Sequence, residues 1–580
     1  MAPRLTSILL TLASAGLMSG CGKPAETSIQ PAQAAVDAAD VVYVGGDIVT
    51  VDDRQPHAEA LAVKDGKIVA VGGRADIEKA HKGSETKVID LAGKALLPGF
   101  MDAHSHYASS LTVANQVNVY APPSGPGKDA ESIVAELVKF RDANKVPKGV
   151  VIQAYGYDEN VMPKGGLLNR DHLDKALPDN PVLVGHVSMH GAVMNSAAMK
   201  KWNISAQTKT PPGGVIVRKP GTNEPYGLIM ETAYIPVFAS LPQPTAEQEV
   251  EWSKAGQRLY AQYGVTTAHE GATHLGDLEL MKRAAAGGAS LIDVIAYPFI
   301  TDLEKILSKY PKETWGRYEN GLKIGGVKIT IDGSPQGRTA FFTKPYLTGG
   351  PGGEKNWKGE LSFPEPVIAK AVKAVYDLGM PLNLHANGDG AIDAFLRVHE
   401  AAAAGDPGKD RNITMIHSQF VRKDQLDKYV QYKIRPSLYT LHTYYFAEAH
   451  IANRGRQQAD YISPMRDAID KGLVPTNHTD FVVAPLDQMF MMWSAVNRVS
   501  RGGEVVGADQ RVTPLEALKA MTINVAHQYG EQDSKGTLAV GKRADLVILD
   551  KNPLKVEPMA IKDIKVVETI KDGKQVYVRP

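Results

Sequence analysis

The chain has 580 residues, of which 43% are apolar, and its 65 Lys and Arg residues balance 64 Asp and Glu residues. A formal net charge of +1 argues against a nucleic-acid partner, which would favour a basic surface. At about 150 residues per domain, the length allows two to four domains with sizeable cores.

The amino terminus has the pattern of an export signal. Arg4 precedes a short apolar run at residues 8–18, and Ser19-Gly20-Cys21 follows. We predict a signal peptide at residues 1–20, because this run is too short to span a membrane as a stable helix. Cys21, the only cysteine, resembles the lipobox cysteine of bacterial lipoproteins, although Met18 stands where Leu is commoner. The alternative is a plain secreted protein that is cut nearby.

A lipidated Cys21 predicts a periplasm-facing lipoprotein of the bacterial cell envelope that touches the membrane only through its lipid. Gly22 after the cysteine favours the outer membrane over the inner membrane. With Cys21 used in this way, the mature protein has neither a disulfide nor a thiolate metal ligand. Residues 21–38 are rich in Ala, Pro, Gln and Ser and are predicted to form a flexible tether.

Short β-branched runs follow the tether and recur at the far end of the chain. They lie at residues 40–51, 60–71, 544–549, 564–570 and 575–578, with Gly-Gly and Asp-Gly turns between them. Neither end has enough strands to bury a core alone. We therefore predict one small β-sandwich built from both termini, residues 39–97 and 530–580.

The middle of the chain alternates apolar strand-like runs with helical stretches, which is typical of a parallel sheet built from βα units. Eight strands fit this pattern, the number that closes a (β/α)8 TIM barrel. We predict this α/β barrel over residues 98–529, with an insertion at about 110–260 after the first strand. The predicted strands are the run that enters His104, and residues 264–267, 291–300, 326–331, 381–385, 413–417, 434–438 and 473–480.

Histidines mark the ends of several of these strands. His104 and His106 point the same way on an extended strand, which suits two ligands of one metal ion, although an isolated His-X-His also occurs in ordinary loops. Active sites of such barrels lie at the carboxyl ends of the strands. The residues predicted there are His104, His106, Lys328, His385, His417 and Asp480. Taken singly, a strand-end histidine is more often a core residue, but the set together predicts a metal site.

These residues, with the motifs around them, resemble the amidohydrolase superfamily. The branch is the one that includes N-acyl-D-amino-acid deacylases and N-substituted formamide deformylases. The similarity runs through almost the whole mature chain. It includes Leu-Pro-Gly-Phe-Met-Asp-Ala-His-Ser-His at 97–106, Met-Asn-Ser-Ala-Ala-Met at 194–199, Val-Lys-Ile-Thr-Ile-Asp-Gly-Ser at 327–334 and Asp-Phe-Val-Val-Ala-Pro-Leu-Asp at 480–487.

The resemblance implies a role for each predicted ligand. His104 and His106 hold the more buried metal ion, and His385 and His417 hold the more exposed one. Lys328 reacts with carbon dioxide, and the carbamate bridges two ions. A buried lysine is pushed towards its neutral, nucleophilic form, which favours this reaction. The alternatives are a lysine in an ordinary salt bridge and a site with one ion.

Asp480 is implied to sit at the metal and to serve as the proton shuttle for a metal-activated hydroxide. Its rivals are His478, which lies on the same side two residues earlier, and Asp487, which we interpret as a helix-start residue. Zinc suits histidine and carboxylate ligands, but manganese, iron or cobalt fits the same ligands.

Substrate contacts are assigned less directly. His190 precedes the motif at 194–199 and either faces the substrate or makes a structural hydrogen bond. Arg338 either pairs with an acidic substrate group or holds its own loop. Tyr155 and His442, with Tyr444, are candidates for lining the pocket. His269 and His274 are interpreted as scaffold, and His57, His81 and His527 as residues of the sandwich or the outer helices.

The sequence thus predicts a metal-dependent hydrolase that cleaves a non-peptide, amide-type C–N bond of a small molecule. The same hydroxide chemistry also serves a cyclic amide or a carbamate. A catalytically silent envelope protein that keeps the fold is the alternative from another class, and the complete ligand set argues against it. A homodimer is compatible with the sequence, which leaves the oligomeric state open.

Overall fold

A computed structural model of the protein describes residues 38–163, 166–187, 191–211, 214–241, 245–351 and 354–580. The predicted signal peptide, Cys21, all of the tether but its last residue, and His190 lie outside the described residues. Within the described ranges, no helix combines the length and the apolar character that crossing a membrane requires.

The two ends of the chain share one eight-stranded sheet. Its order is β24-β23-β22-β5-β1-β2-β3, with β4 paired to β1. The two ends meet where β22 runs antiparallel to β5 and Val547 lies opposite Leu97. That these strands pack as a sandwich stays a prediction. The strands are β1 Val41–Val49, β2 His57–Lys64, β3 Lys67–Gly72, β4 Lys87–Asp90, β5 Ala95–Pro98, β22 Leu546–Leu549, β23 Val566–Lys571 and β24 Lys574–Val578.

A separate six-stranded sheet forms within the region predicted as an insertion. Its order is β11-β12-β10-β9-β8-β7, and its buried side chains form cores distinct from that of the central strands. The strands are β7 Val117–Asn118, β8 Ile152–Tyr157, β9 Val182–His186, β10 Gly191–Met194, β11 Gly214–Arg218 and β12 Pro225–Glu231.

The central strands form two five-stranded sheets in which neighbouring strands run parallel, apart from the short edge strand β15. The first has the order β15-β16-β14-β13-β6, and the second follows chain order from β17 to β21. The strands are β6 Phe100–Met101, β13 Val265–Thr273, β14 Asp293–Pro298, β15 Tyr318–Glu319, β16 Leu322–Ile324, β17 Val327–Thr330, β18 Leu382–Ala386, β19 Ile413–His417, β20 Ile434–Leu438 and β21 Thr476–Asn477.

Backbone contacts join these two sheets at two places. A parallel bridge links Phe299, just after β14, to Lys328 in β17. On the other side, the Asp480 amide donates to the His104 carbonyl over 3.1 Å, and the His106 amide donates to the Phe481 carbonyl. The carboxyl ends of the first and last strands are therefore held side by side.

Helices cover the connections between strands, and their sequences explain their ends. The helix Glu365–Leu378 buries Ile368, Val372 and Val375 on one stripe and ends at Gly379, whose φ of +64° favours glycine. The helices are α1 Arg74–His81, α2 Tyr107–Val113, α3 Ala130–Ala143, α4 Arg170–Ala176, α5 Ser196–Lys201, α6 Ile235–Ala239, α7 Ala246–Ala261, α8 Leu275–Ala286, α9 Leu303–Lys309, α10 Glu365–Leu378, α11 Asp389–Ala402, α12 Lys423–Tyr432, α13 His442–Tyr445, α14 Ala447–Arg454, α15 Arg456–Asp460, α16 Met465–Asp470, α17 Gln488–Asn497, α18 Pro514–Lys519 and α19 Ile523–Gln528.

Candidate metal centre

Parallel pairing brings the predicted ligands to one edge of the central strands. Lys328 lies within β17 beside Asn383, and His385 and His417 lie near the ends of β18 and β19. His104 follows β6 and Asp480 follows β21, where the backbone contact described above joins them. Five strand ends thus supply the cluster, because parallel strands end at the same edge of a sheet.

The first part of the cluster surrounds the Asp480 carboxylate. Asp480 Oδ1 lies 3.5 Å from His104 Nε2 and 3.4 Å from His106 Nε2. Ligand atoms of these three residues all lie within 4.8 Å of one another. Lys328 Nζ lies 3.3 Å from His104 Nε2.

The second part is the pair formed by His385 and His417. His385 Nδ1 lies 3.1 Å from His417 Nε2. The His417 ring centroid is 5.4 Å from that of His104, so the two parts adjoin. The structure therefore brings all six predicted residues together.

The cluster suits a divalent cation. Asp480 Oδ1 is buried and accepts no hydrogen bond from the described residues, a costly arrangement for a carboxylate oxygen without a cation. Two ligands bound at about 2.0–2.1 Å to one tetrahedral zinc ion lie about 3.4 Å apart. The separations around Asp480 Oδ1 and between His385 and His417 come close to that value.

Two members of the cluster are held in the protonation states that metal ligands require. It lowers the pKa of His104 well below the ordinary histidine value, and the nearby Lys328 amine lowers it further. Burial alone would raise the pKa of Asp480, but His106, His478 and Lys328 outweigh it and hold the pKa at about 2. Imidazoles without a proton and an ionised carboxylate are the forms that bind cations.

Lys328 is the buried amine of the cluster. It is 2% exposed, and burial lowers the pKa of its amine to about 8. Such an amine is neutral in a substantial fraction of molecules near neutral pH, and the neutral form is the nucleophile. Among the described residues, no carboxylate forms a salt bridge with Lys328.

The exposed sides of the cluster belong to two histidines, one from each predicted pair. The side chains of His106 and His385 are 34% and 17% exposed, whereas His104 and His417 are almost fully buried. Burial therefore does not rank the two pairs in the way that the resemblance implies.

The backbone at the cluster is held in an uncommon conformation. His417, Ser418 and Asp480 have φ values of +72°, +44° and +54°, in the left-handed region that favours glycine. This conformation costs about 1–2 kcal/mol for a residue with a side chain. Residues kept there against such a cost are concentrated at functional sites.

The predicted substrate contacts have unequal support. The half-buried Tyr155 meets the Tyr120 ring edge-on, and the Tyr120 hydroxyl donates to the Val482 carbonyl, two residues beyond Asp480. The ring centroid of buried His442 lies 4.4 Å from that of Tyr439. The Tyr439 centroid lies 6.0 Å from the His417 ring centroid.

The surroundings of Arg338 and Tyr444 say less about a role in substrate binding. Arg338 sits in a loop at φ +61°, and its carbonyl accepts from the Trp357 indole over 2.6 Å. Its guanidinium forms no hydrogen bond or ion pair within the described ranges. Tyr444 packs among other aromatic rings, those of Tyr445, Phe490 and Trp493.

The other residues singled out in the sequence lie at helix ends or on the surface. Asp487 is the N-cap of α17 and accepts from the Phe490 amide over 2.9 Å, which confirms it as a helix-start residue. His274 precedes α8 and pairs with Asp302, in keeping with a scaffold role. His57 and His527 are exposed, and His81 is half-buried at the end of α1.

Sequence reasoning left three contacts of the cluster unassigned. Asp332, in the Ile-Asp-Gly-Ser motif, lies 3.4 Å from His385 Nε2 and is fixed by the backbone amides of Phe341, Asn387 and Gly388. His269, interpreted as scaffold, contacts His104, and His478, treated as a rival of Asp480, contacts His417. The motif and the two-residue spacing from Asp480 were the only signals for these residues.

Comparison with known proteins gives matches over most of the chain. The model of the amidohydrolase family matches residues 87–577. The chain is 26% identical to the putative amidohydrolase YtcJ of Bacillus subtilis, over 92% of this chain and 99% of that protein. It is 25% identical to the N-substituted formamide deformylase of Arthrobacter pascens, over 93% and 98%.

A solved structure shares the fold. An uncharacterized metal-dependent hydrolase from Pyrococcus horikoshii superposes with a TM-score of 0.68 at 24% identity, over 89% of this chain and 99% of that chain. At this level of identity the likeness establishes the α/β fold alone.

Proposed function

The chain belongs to the amidohydrolase family, whose model matches residues 87–577, and on that basis we propose that it is a metal-dependent hydrolase that cleaves a non-peptide, amide-type C–N bond of a small molecule. The observation that carries this proposal is Asp480 Oδ1, buried without a hydrogen bond between His104 and His106. The central strands would close a (β/α)8 barrel, and the terminal strands would form a sandwich beside it.

The proposed centre holds one or two divalent ions, with Zn²⁺ favoured by the histidine and carboxylate ligands. His104, His106 and Asp480 would hold one ion, His385 and His417 a second, and a carbamate on Lys328 would join them. When bound, such ions polarise a carbonyl and lower the pKa of water towards neutrality.

Asp480 would move the proton in this reaction. Its low pKa keeps the carboxylate ionised at neutral pH, so it can accept a proton from the attacking water. As the water oxygen bonds to the carbonyl carbon and the C–N bond breaks, Asp480 delivers that proton to the departing nitrogen. The products are a carboxylic acid and an amine, and Asp480 returns to its ionised form.

We also propose that Cys21 is lipidated and that the lipid tethers the protein to the envelope membrane, facing the periplasm. This proposal rests on the sequence at residues 4–22.

Removal and return of metal should test the proposed activity directly. Purified protein treated with a chelator is expected to lose hydrolysis, and reconstitution with Zn²⁺ should restore it. The substrates are a panel of N-acyl and N-formyl compounds, with cyclic amides and carbamates as separate arms, and the measurement is amine release beside metal content. Absence of bound metal together with no turnover in any arm would refute the proposal.

Replacing Lys328 with arginine should separate a carbamate from an ordinary lysine. Arginine keeps the positive charge but cannot form the carbamate, so the variant is expected to bind fewer ions per protein than the wild type. The measurements are metal content and the intact mass of native protein, which should exceed the sequence mass by one carbon dioxide. Equal metal content and no added mass would leave Lys328 as a charged structural residue.

A further inference from the structure

Two histidines outside the proposed ligand set stand directly behind two histidines inside it. His478 Nε2 lies 3.1 Å from His417 Nδ1, and His269 Nδ1 lies 3.4 Å from His104 Nδ1. His478 and His269 are 1% and 0% exposed. Both are too deeply buried to meet a substrate themselves.

Each contact involves the ring nitrogen that faces away from the centre. His417 directs Nε2 at His385, so its Nδ1 is the nitrogen left for His478. His104 directs Nε2 at Asp480 and Lys328, so its Nδ1 is left for His269. Both proposed ligands would therefore coordinate through Nε2, and His417 would carry its proton on Nδ1.

His478 has a partner of its own that can complete a chain of hydrogen bonds from His417. His417 Nδ1 donates to His478 Nε2, and His478 Nδ1 donates to the Ser437 hydroxyl over 3.0 Å. His269 differs, because the Asn383 side-chain N–H donates to its Nε2 over 3.0 Å and leaves the proton on Nδ1, 3.4 Å from the Ser105 carbonyl. Only a neutral imidazole can accept and donate in this way, and burial favours that neutral form.

We propose that His478 is a positioning residue that fixes the tautomer and ring orientation of His417 for metal binding. This inference rests on the proposed function. Carboxylates, backbone carbonyls or waters usually take this place behind a ligating histidine. A neutral imidazole adds no negative charge, so the bound ion keeps more of its positive charge for polarising a substrate.

Metal affinity of the full chain tests this inference without any substrate. His478→Leu removes the acceptor while keeping an apolar side chain of similar size, and His478→Gln returns an acceptor oxygen. We expect Zn²⁺ affinity, measured by competition with a chromophoric chelator, to fall about 10–100-fold in His478→Leu. In His478→Gln it should be largely restored, which loss of packing alone would not allow.

A matched control comes from another buried histidine. His399 in α11 hydrogen-bonds the Tyr376 hydroxyl and the Pro407 carbonyl. Neither partner is a proposed metal ligand. His399→Gln should leave Zn²⁺ affinity unchanged. If His478→Leu does not fold, Ser437→Ala takes its place, because it removes the acceptor of His478 Nδ1 and should also weaken binding.

The outcomes distinguish this inference from the proposed function. A wild-type protein that binds no Zn²⁺ overturns both. If the wild type binds Zn²⁺ and a folded His478→Leu variant binds it with equal affinity, only the positioning role is overturned. Unchanged affinity in Ser437→Ala has the same meaning where that variant replaces His478→Leu. A loss of one whole ion at unchanged affinity also overturns it, because His478 would then be a ligand.

Discussion

Replacing Asp480 with asparagine is expected to lower kcat by about 10²–10⁴-fold, the range that a positioned general acid–base supplies. Asparagine has nearly the same shape but cannot take up a proton from water or return it to the departing nitrogen. Because Asp480 Oδ1 also lies within ligand distance of His104 and His106, the assay must be run at saturating Zn²⁺. Hydrolysis of the best substrate from the panel is the measurement.

Asp487 provides the matched control for this experiment. It is a buried aspartate seven residues further along, and its side chain caps α17. Asparagine is also a good N-cap, so Asp487→Asn should keep kcat near the wild-type value. An Asp480→Asn enzyme with wild-type kcat at saturating Zn²⁺ would exclude Asp480 as the proton shuttle.

The ligand cluster could be predicted from the sequence because parallel strands end at a common edge. His385 and His417 each close a short apolar run, and β18 pairs with β19 so that His385 lies opposite Ile416 and His417 opposite Ala386. The order of the strands predicts that these histidines share one edge with His104 and His106. Their convergence also depends on local conformation that spacing does not give, because His417 has a φ of +72° and His104 lies in a bend beyond β6.

The contacts of His478 and His269 could not be predicted in the same way. Which nitrogen of His417 faces His478 depends on ring rotations and on the return of the chain after β21, and neither follows from spacing. His269 lies in the middle of the buried strand β13, where a histidine satisfied by core contacts is the ordinary interpretation. The left-handed conformation of Asp480 has no sequence signal either, because glycine is absent there.

A second feature that escaped the sequence is a buried charge network joining the central strands to the terminal sheet. Asp293, the first residue of β14, accepts from Lys535 over 2.7 Å, Lys571 over 2.9 Å and Arg543 over 3.1 Å. Lys571 also pairs with Asp545 over 2.9 Å. The partners are more than 240 residues from Asp293, so only the folded chain assembles them.

Asp293→Asn should therefore cost about 3–5 kcal/mol in the free energy of unfolding, because it leaves buried cations without their shared carboxylate. The side chains of Asp293, Lys535 and Lys571 are 5%, 2% and 6% exposed, so water compensates little. The measurement is denaturant unfolding at neutral pH. The exposed pair of Asp377 and Lys373 is the control, and Asp377→Asn should cost less than about 1 kcal/mol.

The pH dependence of this deficit gives an independent check. Burial alone would raise the pKa of Asp293, but the three cations outweigh it and lower the pKa below its unfolded value. The carboxylate then stabilises the fold fully above the unfolded pKa of about 3.9, and this stabilisation is lost as the pH falls through the folded pKa. The difference between wild type and Asp293→Asn should be constant from pH 7 to about 5 and shrink at lower pH. A deficit below 1 kcal/mol, or one that grows on acidification, would mean that the cations are satisfied without Asp293.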